Sequence, residues 1–365
     1  MGHAKDEARR LLQSPSFFSR LLAAIRRHGL AGEQKNALVV YLVGTSRLLD
    51  RPLNLFMKGQ SSSGKNFLGR KVLQLFPEEC VREITSASDK SWNYLGDELE
   101  HVVVYIQERG DWSGNVHPTR LLISESKLVR LVTTRVGRHF ETVRQETKGP
   151  IACISTTTED HLAVDDESRH ISIWLDESKE QTQRIVATSL NSMRDLSGGE
   201  LKAWHEVQGL IAERASIPIE FPDWSKSSNF VDCVRTDDIR VRRYFPAFMQ
   251  ACKTVCLIRS FLRSRSFGGG RRLFLTFSDF AVAATIFDSV FADTLRRPSD
   301  QDIETRQLVE RISLEKKGKP VRASDLANAL NVSTDRAYAF LRRAARAGTI
   351  RRVNPPGQTN LKLFL

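Results

Sequence analysis

The sequence predicts an α/β fold: a mostly parallel sheet, then a helical region, then a small basic module. Three observations predict it. Between residues 53 and 175, short apolar segments ending in polar residues alternate with helical stretches, the rhythm of parallel strands covered on both faces. From residue 177 the pattern turns helical. The formal net charge is +12, and the stretch from Leu308 to Leu365 holds 12 basic against 4 acidic residues. These shifts divide the chain into an N-terminal helical region (1–50), a sheet core (51–176), a helical lid and connector (177–298) and a terminal module (299–365).

The elements follow in order. Residues 4–27 carry Leu11, Leu12, Phe18, Leu21, Leu22 and Ile25 at helical spacing, which predicts one amphipathic helix with a basic outer face. A second helix is expected over 33–49, and Pro52 begins something different. Residues 53–58 form a strand and 67–76 a helix. Further strands are expected at 81–85, 102–108, 151–156 and 171–175, with helices near 90–99 and 118–133 between them. Helices are expected at 180–195, 200–215, 240–262 and 278–295, interrupted by punctuated loops at 217–229 and 264–272.

Composition excludes several classes. The 365 residues are 41% hydrophobic and 27% charged, a globular balance too long for one compact core. No apolar run reaches the ~20 residues of a membrane span, so no membrane partner is expected. The first residues are polar and carry acids, unlike a secretory signal. Five widely spaced cysteines argue against a disulfide framework or a zinc site, and a reducing cytoplasm fits. The basic terminal module points to a polyanion, most simply nucleic acid; a solvated surface is the alternative.

Gly59-Gln60-Ser61-Ser62-Ser63-Gly64-Lys65-Asn66 lies between a strand and a helix, the context of a phosphate-binding P-loop. Its glycines let the backbone curl until several N–H groups face one phosphate, and the helix N-terminus adds its dipole. Gly59, Ser61, Ser62, Ser63, Gly64, Lys65 and Asn66 are therefore the expected nucleotide-binding residues, with ATP and Mg²⁺ as cofactors. Asn66 stands where Ser or Thr usually ligates magnesium; its amide oxygen is the candidate ligand, with different stereochemistry. Glu108 ends the strand 102–108 and suits activation of water, whereas Gln107 stands where a magnesium-binding aspartate is expected. Thr156–Thr158 end the next buried strand, and Arg169 follows at a short interval.

Residues 36–183 resemble the ATPase module of bacterial mobile-element and primase-associated helicase-like proteins. These are AAA+ ATPases related to minichromosome-maintenance-type helicases. The resemblance is carried by Leu48-Leu49-Asp50-Arg51-Pro52-Leu53-Asn54 leading into the serine-rich loop, and by the strand ending at Glu108. Glu141-Thr142-Val143 ahead of Gly149-Pro150, the triple threonine and Asp176-Glu177-Ser178-Lys179-Glu180-Gln181-Thr182 complete it. It implies a P-loop AAA+ core with a helical lid. Lys65 would bind phosphate, Glu108 activate water and Thr157 sense the γ-phosphate. Arg169 would be the arginine finger of a homo-oligomeric ring, and Arg243 the second sensor. Residues 135–148 would form a hairpin gripping DNA through Arg135, Arg138, Phe140 and Arg144. Relatives often carry a zinc finger and a primase domain that this chain lacks, so primase activity does not carry over.

Residues 322–347 read as helix–turn–helix, with Ser324 and Ser333 as caps. Leu326, Ala327, Leu330, Ala337, Phe340, Leu341 and Ala344 face inward. A hairpin from 349 to 364 makes it a winged helix. Arg336, Arg342, Arg343 and Arg346 on the second helix, with Arg351 and Arg352 on the wing, are the expected DNA contacts. The expected function is an ATP-dependent DNA-remodelling or helicase-like ATPase in replication of a mobile element. The alternatives are a nucleotide-gated, non-hydrolysing DNA-binding regulator or loader, and an inactive subunit that docks a partner such as a primase or nuclease.

Overall fold

The computed structural model describes residues 2–85, 92, 95–108, 116–136, 139–159, 164–167, 169–190, 195–223, 232, 241–263, 272–296, 300–346, 349–350, 352–353 and 363–364. The chain forms two compact units, Met1–Phe291 and Ala292–Leu365.

The first unit is α/β. Its five-stranded sheet has the order β2-β3-β6-β1-β7, with β1 Leu55–Lys58, β2 Val81–Ile84, β3 Val102–Ile106, β6 Ile151–Thr157 and β7 Ile171–Trp174. Every pairing is parallel. β1, β3 and β6 are buried along their whole lengths, which explains why they read as continuous apolar runs. α3 (Gln34–Thr45) is buried from Ala37 to Thr45, as expected of a helix apolar all round. Its Tyr41 packs on Phe76 and Trp204, with ring centroids 5.2 and 6.4 Å away.

Three expectations are corrected here. The single helix expected over 4–27 is two, α1 (Gly2–Leu12) and α2 (Phe17–Arg27); Pro15 lacks the N–H that would continue the first. The helix expected over 118–133 is α5 (Val116–Glu125), which stops before Ser126 at φ 55°. Beyond it β4 (Lys127–Val136) pairs antiparallel with β5 (His139–Lys148) over ten residues. The β-branched and alternating residues after 127 favour a strand once a partner strand is available, so the hairpin is longer than the 135–148 expected. The stretch 90–99, expected as a helix, is turn from 96 onward.

α4 (Lys65–Leu73) follows β1, and the short α6 (Val164–Glu167) precedes β7. After β7 the unit continues with α7 (Lys179–Leu190), α8 (Gly198–Ala212), α9 (Val241–Arg259) and most of α10 (Phe277–Arg296), whose last residues belong to the second unit, and with a two-stranded parallel pair, β8 (Ile219–Glu220) with β9 (Leu273–Phe274). Among the described residues no helix is long and apolar enough to cross a membrane.

The second unit packs α11 (Asp300–Glu315), α12 (Ala323–Leu330) and α13 (Thr334–Arg346) against a small antiparallel sheet, β10 (Val321–Arg322), β12 (Leu363–Phe364) and β11 (Arg352–Val353). Leu326, Ala327, Ala337, Leu341 and Ala344 are core residues, with Leu330 and Phe340 packed against them. Asn331 is left-handed at φ 52° and makes the turn. Ser333 Oγ accepts the Arg336 N–H at 3.4 Å. The expected cap Ser324 is corrected: α12 already begins at Ala323, and the Asp325 carboxylate accepts the Arg322 N–H at 2.7 Å.

Candidate functional site

The sheet order creates a switch point at β1. The chain leaves β1 for the far edge at β2, and β7 returns on β1's other side. The crevice at the carboxyl ends of such strands is where α/β sheets take ligands. The loop from Gly59 to Asn66 occupies it. Gly64, at φ 94°, is the residue before α4, a backbone that only glycine adopts without strain. At Gly59 a Cβ would lie 2.8 Å from Ser63 Oγ and 3.0 Å from Glu177 Oε1. Lys65 is only 7% exposed. Its Nζ donates to the Gly59 and Gln60 carbonyls at 2.7 and 2.6 Å. Burial lowers its pKa, opposed by the nearby Glu177 and Glu108 carboxylates.

A cavity of about 540 Å³ opens beside the loop. Ser61, Ser62, Ser63, Gly64, Lys65 and Asn66 line one side, and Glu108 and Thr156–Glu159 complete it. The threonines are there because β6 lies between β1 and β3. Glu108 is left-handed at φ 51°, a conformation that costs a non-glycine residue about 1 kcal/mol or more. Its N–H donates to Thr156 Oγ1 at 3.0 Å, which holds that backbone in place. Thr157 is 1% exposed and accepts the Glu159 N–H on its hydroxyl at 3.0 Å. Thr156 was not singled out from the sequence; within the triple threonine, only the fold distinguishes the residue that holds Glu108.

Asn66 and Gln107, the two departures from the motif, meet each other. Asn66 Nδ2 donates to Gln107 Oε1 at 3.3 Å, and Tyr105 donates to Asn66 Oδ1 at 3.4 Å. Gln107 Nε2 donates to Glu83. Arg70 also holds Glu83, through Nε at 3.1 Å and Nη2 at 2.9 Å. Asp111, close enough in sequence to offer magnesium a carboxylate in place of Gln107, lies outside the described residues.

The segment from Asp176 to Gln181 reaches the loop from the other side. Glu177 Oε1 accepts the Gln60 N–H at 2.6 Å. Glu33 accepts the Asp176 N–H at 2.7 Å, and Gln181 donates to the Ala31 carbonyl at 2.8 Å. This motif therefore ties the N-terminal segment to the start of the loop. Burial raises the Glu33 pKa, partly offset by its bonds from Asp176 and Asn36.

Arg169 and Arg243 are elsewhere. They line a second cavity, about 420 Å³, with Arg51, Arg242, Asn54 and Ile171. Asn54 precedes β1 and Ile171 begins β7, so this basic cavity lies at the amino ends of the strands. Arg169 Nε donates to Ser124 Oγ at 2.9 Å. The segment that carries it is tied to β1 twice. Lys58, 1% exposed, pairs with Glu167, and His170 stacks on Phe56 with centroids 3.9 Å apart. A bidentate Arg120–Asp166 pair, at 2.6 and 2.9 Å, fixes the turn to α5.

No family model matches the chain, and no curated protein matches it.

Arg144 lies on the hairpin and pairs with Glu146 at 2.7 Å. Leu131, its cross-strand partner, is 69% exposed. Arg135 and Phe140 are paired in the same ladder; their side chains, and all of Arg138, lie outside the described residues. In the second unit Arg336 is exposed, with its guanidinium 5.9 Å from the Phe340 ring centroid. Arg342, Arg343 and Arg346 are on α13 and Arg352 is in β11. The side chains of these four, and all of Arg351, lie outside the described residues.

Proposed function

We propose that this chain is a P-loop ATPase of the AAA+ type that assembles into a ring and remodels or unwinds DNA. The observation that carries the reading is the cavity at the carboxyl ends of the strands. It combines a glycine- and serine-rich loop, a buried lysine, a glutamate and a row of hydroxyls. Backbone N–H groups, the α4 N-terminus and Lys65 take the phosphates of ATP. Water attacks the γ-phosphorus and gives its proton to Glu108 while the bond to the bridging oxygen breaks. Thr157 orients the water or the γ-phosphate.

Arg169 and Arg243 serve the cavity of a neighbouring subunit. Their distance from their own loop, at the opposite end of the sheet, supports this. A cavity lined by four arginines suits a triphosphate's charge. The hairpin β4–β5 and the basic winged-helix module supply DNA contacts, with Arg336, Arg342, Arg343, Arg346, Arg351 and Arg352 as the phosphate-contacting set. The cellular setting proposed is cytoplasmic replication of a mobile element, with a primase or another replication protein as partner.

Magnesium fits this site poorly. A hard cation takes oxygen ligands, preferably charged, whereas Asn66 and Gln107 are neutral and bonded to one another. No step is assigned to it. The same pair favours a second reading, a nucleotide-gated DNA-binding regulator that binds ATP without fast turnover. ATP hydrolysis by the wild type and by Glu108→Gln, with and without single-stranded and duplex DNA, separates the two. DNA-stimulated turnover lost in the variant supports the motor. Tight ATP binding without turnover in either protein supports the regulator. ATP binding retained in Lys65→Ala overturns the P-loop assignment.

A further inference from the structure

We infer that the Asn66–Gln107 amide pair stands in for the divalent cation, so that the cavity binds a nucleoside triphosphate without needing a metal. This rests on the nucleotide-binding reading above and deepens it.

The argument starts at Glu83. A carboxylate only accepts hydrogen bonds, so the Gln107 amide must turn its NH₂ toward Glu83. Its carbonyl then faces Asn66 and accepts from Asn66 Nδ2. Asn66 in turn presents Oδ1 to the Tyr105 hydroxyl. An amide oxygen only accepts, so the hydroxyl is the donor of that contact. The donors thus run in one direction: Tyr105 to Asn66 to Gln107 to Glu83. Each amide oxygen that a metal would use thus already accepts a hydrogen bond, Asn66 Oδ1 from Tyr105 and Gln107 Oε1 from Asn66.

Arg70 bonds to Glu83 as well, so the chain ends on a carboxylate already offset by a cation. Gly69 makes room for the arrangement; a Cβ there would lie 2.6 Å from the Tyr105 oxygen. Gln107 does not line the cavity, and Asn66 does. Asn66 therefore shows the phosphates a neutral amide. Its second N–H joins the loop N–H groups and Lys65 as a donor. Glu108 and Glu159, the carboxylates that line the cavity, are anchored through their own N–H groups to Thr156 and Thr157. On the loop side, Glu177 is taken up by the Gln60 N–H, so its charge is already partly offset.

The test is a fluorescence titration of the full-length chain with mant-ATP, in Mg²⁺ and in EDTA. The wild type is expected to bind with dissociation constants within about threefold of each other, under 1 kcal/mol. Gln107→Asp places a carboxylate directly behind Asn66, the residue that lines the cavity. It is expected to lose affinity about tenfold or more in EDTA and to regain it in Mg²⁺. Recovery in Mg²⁺ also demonstrates that the variant is folded. Asn66→Thr, which exchanges the amide donor for a hydroxyl, is expected to acquire the same metal requirement. Wild-type binding that weakens more than about tenfold in EDTA overturns the inference and leaves the nucleotide reading standing. No mant-ATP binding in either buffer overturns the nucleotide reading itself, and the inference with it.

Discussion

Replacing Gly69 by alanine sets two effects of opposite sign against each other. Gly69 is a buried residue inside α4, and alanine is favoured over glycine in a helix interior by about 1 kcal/mol. The added Cβ, however, meets the Tyr105 oxygen at 2.6 Å, its Cζ at 2.8 Å and Met57 Cε at 3.0 Å. The tyrosine is 1% exposed on β3, and Met57 is fully buried on β1, so neither gives way freely. Overpacking of this kind costs about 1–3 kcal/mol. The net expectation is a loss of about 0–2 kcal/mol, up to about 8 °C in midpoint for a unit of this size. Gly209 in α8 is the control, because a Cβ there meets nothing within 4 Å. Gly209→Ala is expected to gain about 0.8–1 kcal/mol from propensity alone. Urea and thermal denaturation of both variants read the difference. If Gly69→Ala proves as stable as Gly209→Ala, the close approach of α4 to Tyr105 is refuted. The donor chain that depends on it then loses its support.

Further expectations can be checked independently. Glu167→Gln removes the carboxylate paired with buried Lys58 and loosens Arg169. The variant alone is expected to bind mant-ATP weakly, and mixing it with Lys65→Ala subunits, whose arginines are intact, restores binding; no recovery counts against an arginine acting between subunits. Burial, then the nearby Asp279, pushes the Cys252 thiol up to about 12 and Cys256 up to about 11. An unfolded thiol titrates near 8.5, so their folded values are raised. Their contribution to stability is complete below that value and declines as pH rises toward 11–12. The unfolding midpoint should fall across that alkaline window, and less steeply in Cys252→Ala; an equal decline would remove the thiols as its cause. Arg336→Ala is expected to weaken duplex DNA binding and to reduce the slope of log K against log salt by about 1. An unchanged slope would take Arg336 off the DNA.

Much of this architecture is legible without coordinates. Leu55–Lys58 and Ile151–Thr157 are apolar, β-rich runs ending in polar residues, so their sequence marks them as buried parallel strands. The spacing of Gly59, Gly64 and Lys65 marks the loop, because few other structures need glycines there. In the second unit, a 3.6-residue period identifies Leu326, Ala337, Leu341 and Ala344 as core. The misreadings have local causes. Residues 127–133 alternate in a way compatible with helix or strand, and only the partner β5 decides. One proline at position 15 outweighs a long amphipathic pattern.

The sequence alone determined what each segment can do locally: which runs are buried, where the backbone must curl, and where positive charge collects. Those properties depend on neighbours within a few residues. Only the tertiary structure decided which distant groups meet. Strand order brings Thr156 and Glu108 to the loop and carries Arg169 to the other end of the sheet. It also turns two separate departures, Asn66 and Gln107, into one hydrogen-bonded pair 41 residues apart in sequence. The direction of that pair is set by Glu83 on β2, because an amide takes its orientation from whichever neighbour can only accept.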